Sequence, residues 1–174
     1  RGWSSRKHSF KLESFDLEEL KDKEKTYLII RGLGKVYKAN KDTVFSIDNS
    51  FEWKSRFNSS NFIRKGVIHS YGGYGLYSSK NNILYFDPNT KEWTAVKQKN
   101  LNPVNNTSPL SIYDSIENVF YTTLGRQNVH GIEFNNYKTV KFDFKTLNWT
   151  EVSQIDNRIE DFFRKKTDLR ILNY

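Results

Sequence analysis

Two stretches of the chain, 56 residues apart, carry one pattern. Phe86-Asp87-Pro88-Asn89-Thr90-Lys91-Glu92-Trp93-Thr94-Ala95-Val96 and Phe142-Asp143-Phe144-Lys145-Thr146-Leu147-Asn148-Trp149-Thr150-Glu151-Val152 share Phe-Asp-x-x-Thr-x-x-Trp-Thr-x-Val. A third stretch, Phe45-Ser46-Ile47-Asp48-Asn49-Ser50-Phe51-Glu52-Trp53, ends in the same way, 40 residues before Trp93. Self-similarity at a period of this size marks a repeat architecture, in which each unit buries its apolar face only against its neighbours. Each part has a physical reading. Alternating strands (Ile83, Tyr85; Val140, Phe142) run into an Asp that caps a tight turn, and a Trp opens the returning strand. The unit is a hairpin with a large aromatic at a fixed place, as stacked sheets require.

Upstream of each hairpin lies an apolar strand closed by glycine: Tyr27 to Gly34, Val67 to Gly73 and Val119 to Gly125. Glycine there permits positive φ and close backbone approach. A strand ending in Gly72-Gly73, an aromatic (Tyr85) a dozen residues later and a Trp (Trp93) beyond it resembles the kelch repeat. The resemblance spans residues 26–152 and is most specific in the second unit. The first unit has Gly32-Leu33-Gly34 in place of the doublet, and the third keeps one glycine. The resemblance implies an all-β fold of kelch-type β-propeller blades, each a four-stranded antiparallel sheet, with about three blades present. Closing a ring takes about four to eight blades, so the expectation is a fragment of a larger ring, able to self-associate through incomplete blades.

This divides the chain into a segment 1–25 (strand or short helix), blades over 26–152, and 153–174 as the start of a further blade or a linker. Asp16 to Lys25 fits a short surface helix with Glu19 and Lys23 at i,i+4. Lys97 to Leu110, rich in Asn and containing Pro103, reads as a long inter-blade loop. The start at Arg1 in a chain without Met reads as a processed end or an artificial boundary rather than a natural initiator.

Composition excludes several chemistries. With no Cys there is no disulfide, thiolate metal site or cysteine nucleophile, and the compartment stays open, with an extracytoplasmic one expected. The 16% aromatic content argues for a packed core. No apolar run approaches the roughly 18 residues of a membrane span. The net charge of +8 is concentrated in 54–100, with eight basic and two acidic side chains, yet Lys54, Arg56, Arg64, Lys65 and Lys80 are scattered and read as solvated surface. Without a recognition helix or RNA-binding signature, nucleic acid is not the expected partner.

Catalytic constellations are hard to find. Ser46 to Trp53 resembles the Asp-box of sialidase-type propellers, with Ser50 replacing its Gly, and that motif is a structural turn. Galactose oxidase carries kelch repeats too, but its copper site needs a Cys joined to Tyr, and this chain has none. His8, His69 and His130 lack metal-motif spacing, and His69, inside an apolar strand, reads as a satisfied core or channel-lining residue. Gly72 to Gly75 lacks the Gly-Lys-Ser/Thr of a phosphate loop. No catalytic residue, metal site or cofactor is expected.

The expected function is therefore a non-enzymatic binding or ligand-sensing propeller, mediating protein or carbohydrate interaction; the alternative is part of a kelch-type sugar-modifying enzyme whose active site lies on absent blades. Kelch proteins bind through loops near the central channel, so the resemblance points to residues following the Gly-terminated strands: Lys35, Tyr37, Tyr74, Tyr77, Arg126, Gln127 and His130. Gly72, Gly73, Tyr85, Asp87, Trp93, Asp143 and Trp149 are expected to be structural.

Overall fold

The computed structural model describes residues 17–41, 43–50, 55–100, 102, 110–123 and 139–152, together with 157, 158 and 161. Apart from the helical residues 157, 158 and 161, they form strands and the connections between them. Strands β1 (Leu17–Asp22), β2 (Lys25–Ile30), β3 (Val36–Ala39) and β4 (Val44–Ser46) form the first antiparallel sheet, in that order. The second is built from β5 (Ser60–Arg64), β6 (Val67–Tyr71), β9 (Ile83–Asp87) and β10 (Glu92–Ala95), with a ribbon of β7 (Tyr74–Gly75) and β8 (Ser78–Ser79) inserted between β6 and β9. The third runs β11 (Leu110–Asp114), β12 (Val119–Thr123), β13 (Thr139–Asp143), β14 (Asn148–Val152). Three four-stranded meanders in succession are propeller-like blades. Strand β5 lies against both β1 and β11, so the first strand of each sheet is the inner one. Asn61 donates to Glu18 at 2.7 Å across one of these contacts, and the Ser111 and Ser60 hydroxyls meet across the other.

Sheet packing follows the alternation of side chains. Ile29 and Val36 meet Ile68, Leu84, Phe86 and Trp93 between the first two sheets. Tyr71 and Ile83 meet Phe120, Val140, Phe142, Phe144 and Trp149 between the second and third. The turn aspartates act as their positions suggest. Asp87 Oδ1 accepts from the Asn89 N–H at 2.8 Å and Asp143 Oδ1 from the Lys145 N–H at 2.6 Å. Hydrogen bonding to Lys145 N–H is the main reason the Asp143 carboxyl sits below its ordinary range. Each turn ends on a left-handed residue, Lys91 (φ 60°) or Leu147 (φ 62°), whose N–H returns to the Asp carbonyl.

Tyr85 sits half-buried opposite His69 and Thr94. Gly72 and Gly73 take positive φ, and a Cβ on Gly73 would stand 2.8 Å from the Phe57 carbonyl oxygen, so that turn requires glycine.

Three expectations change. Of the two forms open to residues 1–25, Leu17–Asp22 takes the strand, paired to β2, and not the helix expected over Asp16 to Lys25. Glu19 faces Lys21 at 3.2 Å, the i,i+2 relation of one strand face, in place of a helical pair with Lys23. In the first sheet the hairpin closes at Asn40 and Thr43, so the register puts Val44, opposite Ala39, where Trp93 and Trp149 stand opposite Phe86 and Phe142. The stretch Phe45 to Trp53 is not the first sheet's copy of the hairpin. Asp48 turns the chain after β4, accepting from the Ser50 N–H at 2.7 Å and from the Val36 N–H at 3.2 Å. Trp53 itself lies outside the described residues. Finally, Arg56 is not on the surface but buried, 3% exposed.

Candidate functional site

The sheets present two ends. At the upper end lie the connections after the second strand of the first two sheets, residues 31–35 and 72–82, and the approach to β5, residues 55–59. At the lower end lie the turns between first and second strands.

At the upper end the glycine after β2 makes room for an aromatic. Gly32 pairs with Arg56, and the Phe57 ring occupies the space a Cβ at 32 would need. Phe57 pairs in turn with Tyr74 through two backbone bonds of 2.8 Å. This anchors the β7–β8 ribbon, whose two-residue tip, Leu76-Tyr77, has both φ values positive (50° and 60°). That is the type I′ geometry that Asn-Gly fills without strain. Here Leu76 is 78% and Tyr77 96% exposed. Leu33 and Phe57 are each 53% exposed near the ribbon's base.

Arg56 ties down that base. Its Nη1 donates to the Gly72 and Asn82 carbonyls at 3.2 Å each, and its Nη2 to Asn82 Oδ1 at 2.5 Å. These are the two ends of the 72–82 connection. Burial lowers its pKa to about 10, so it remains a cation at neutral pH. In the described parts of these three connections stand Arg31, Lys35, Arg56 and Lys80, and no carboxylate.

The expected ligand residues separate into groups. Lys35 lies over the Tyr37 ring, 5.7 Å from its centroid, where the chain enters β3. Tyr74 and Tyr77 belong to the ribbon. Arg126, Gln127 and His130 lie outside the described residues. Sequence reasoning missed Leu33, Phe57 and Leu76; the signal that could have found the tip is a Leu-Tyr pair between Gly75 and Ser78, at turn positions where such residues are costly.

His69 is not at either end. It stacks on Phe62 at 5.2 Å and meets the Phe144 edge at 5.6 Å, inside the space between the second and third sheets. Burial holds it at about 4, well below its ordinary value. Its Nδ1 lies 2.9 Å from the Val67 carbonyl, an acceptor, so the neutral ring carries its proton there. Among the described residues no group of three His, Asp or Glu is placed to hold a metal ion, and no helix is long and apolar enough to cross a membrane. The lower end carries a broad groove of mixed charge, with Asp22, Lys23, Glu24, Lys25, Lys65 and Tyr113 on its walls.

No protein-family model matches the chain, and no curated protein matches it. Among solved structures, 107 chains match. One of them, "Structure of YjhT", superposes with a TM-score of 0.61 at 17% identity, covering 81% of this chain and 52% of that one. That likeness establishes the fold. The chain spans about half the length of that structure.

Proposed function

We propose that these sheets are kelch-type blades and that the chain is a non-enzymatic binding module whose upper connections contact a protein ligand. The observation carrying this reading is the ribbon tip. Leu76 and Tyr77 are almost fully exposed in a backbone conformation disfavoured for both, and strain of that kind is kept where a protruding side chain has a use. Exposed Tyr beside an aliphatic residue is the chemistry of an interface anchor. Leu76 favours a protein over a glycan, since an aliphatic side chain satisfies no sugar hydroxyl. Lys35 and Lys80, with no carboxylate in the described parts of the same connections, favour an acidic partner surface.

A photoreactive phenylalanine analogue at position 77 tests this in the intact protein in its own cells. It should give one discrete protein adduct that Leu76→Asp abolishes and that the same analogue at Thr150, on the outer strand β14, does not give. Equal labelling from both positions, or none from 77, would reject the reading.

A further inference from the structure

The two spaces between successive sheets are filled differently at their lower ends. Between the second and third sheets, Phe144, directly after the turn aspartate Asp143, closes the gap. Its ring lies 5.0 Å from Phe142, 5.6 Å from His69 and 6.0 Å from Tyr113, and the Arg64 guanidinium stacks on it at 4.1 Å. Between the first and second sheets the residue after the turn aspartate Asp87 is Pro88, which is exposed. The row meeting it differs as well. Where the second sheet offers His69, Tyr85 and Thr94 to the third, the first offers Tyr27, Lys38 and Phe45 to the second. With proline in place of the phenylalanine ring, a cleft of ≈ 310 Å³ remains.

Its floor is Ile68 and Phe86, both buried, its walls are Tyr27 and Phe45, and Lys38 and Lys91 stand on its lining with no acidic residue among those that line it. Flat aromatic walls select a planar apolar group, and two lysines without a carboxylate select an anion. The volume falls at the small end of the roughly 300–1,000 Å³ usual for small-molecule sites. We propose that this cleft binds a small aromatic anion, an aryl carboxylate or sulfonate. Its ring takes the place that Phe144 fills in the neighbouring space, and its charged group meets Lys38 and Lys91. The site is at the opposite end of the sheets from the Leu76-Tyr77 tip and stands independently of the protein-binding reading.

Naphthalene-2-sulfonate, titrated calorimetrically into the full chain, is the probe. Saturable one-to-one binding is expected, weakened roughly tenfold by Lys38→Glu or Lys91→Glu and at least roughly tenfold for neutral 2-naphthalenemethanol. Pro88→Phe, which supplies the ring that the third sheet already carries, should abolish binding and leave labelling from position 77 unchanged. Heat that does not saturate, or affinity untouched by Pro88→Phe and by both charge reversals, would overturn the proposal. Neither lysine is buried and the variants leave the cleft's buried floor intact, so a fold-preserving test remains should Pro88→Phe misfold.

Discussion

The Trp93 backbone N–H donates to the Ser50 hydroxyl at 2.8 Å, bridging the second sheet to the segment that leaves the first. The third sheet repeats the device with another residue: Trp149 N–H donates to Asn100 Oδ1 at 2.7 Å. Just before each acceptor, Asn49 N–H donates to the Lys91 carbonyl and Lys99 N–H to that of Leu147. Each tryptophan is thus held by its backbone, by its ring, and by its indole N–H, which reaches the Gly34 carbonyl or Gln98 Oε1.

Both rings are almost fully buried, Trp93 at 5% and Trp149 at 3% exposure. Replacement by Ala should cost about 3–5 kcal/mol at each, from lost burial and the cavity left behind. Phe at the same positions should recover most of this, short of the indole hydrogen bond, worth about 1 kcal/mol. Urea unfolding of the four variants measures both. A loss under about 1 kcal/mol for either Ala variant would mean that the ring does not bind the sheets together.

Ser50→Ala removes the acceptor and leaves a buried N–H without a partner, so about 1–3 kcal/mol should be lost despite the small change in volume. Ser46→Ala, at an exposed position of β4, is the control and should be near neutral. If the two substitutions behave alike, the hydroxyl is not part of the clasp.

His69 gives the fold a pH dependence. Burial is the main cause of its low pKa of about 4; the Val67 carbonyl opposes the shift and the nearby Arg64 charge adds to it. Between the ordinary value near 6.5 and about 4 the unfolded chain holds a proton that the folded one lacks. Stability from this group is therefore complete above pH 6.5, falls as pH drops through that window and levels off below it, a loss of at most about 3 kcal/mol. In His69→Phe, which keeps a ring against Phe62, that part of the decline should vanish. Unfolding free energies at pH 7.5 and 5 for both proteins decide it, and equal slopes would show that His69 titrates normally.

How much of this was legible in the sequence depends on whether local chemistry or long-range pairing set the outcome. The turns at Asp87 and Asp143 and the burial of Trp93 and Trp149 follow from residues within one hairpin, and they were readable. Asp48-Asn49-Ser50 makes the same local turn, but the register of the first sheet is fixed by a hairpin two residues shorter at 40–43, so the shared spelling pointed to the wrong element. Glu19 and Lys23 suit helix and strand spacing alike; the partner strand decided. Arg56 reads as surface beside Phe57 because the carbonyls that bury it, at 72 and 82, are distant in sequence. The ribbon tip was hidden because Leu and Tyr contradict the turn they occupy.

That contradiction is itself testable. Leu76 and Tyr77 hold φ values of 50° and 60°, a left-handed pair that costs each non-glycine residue about 1–2 kcal/mol. The double change Leu76→Asn, Tyr77→Gly supplies residues that take this conformation freely. Almost all of both side chains lies in solvent, so little packing is lost. The variant should be about 1–2 kcal/mol more stable than the parent in denaturant, the relief at two positions being offset in part by the extra freedom glycine gives the unfolded chain, while losing the partner adduct recorded from the intact tip, here reported by the same photoreactive analogue at Tyr74. A gain in stability together with a loss of binding is the signature of strain retained for function. A variant less stable than the parent would show instead that the tip packs on the body of the protein, and the surface assigned to the ligand would have to move elsewhere.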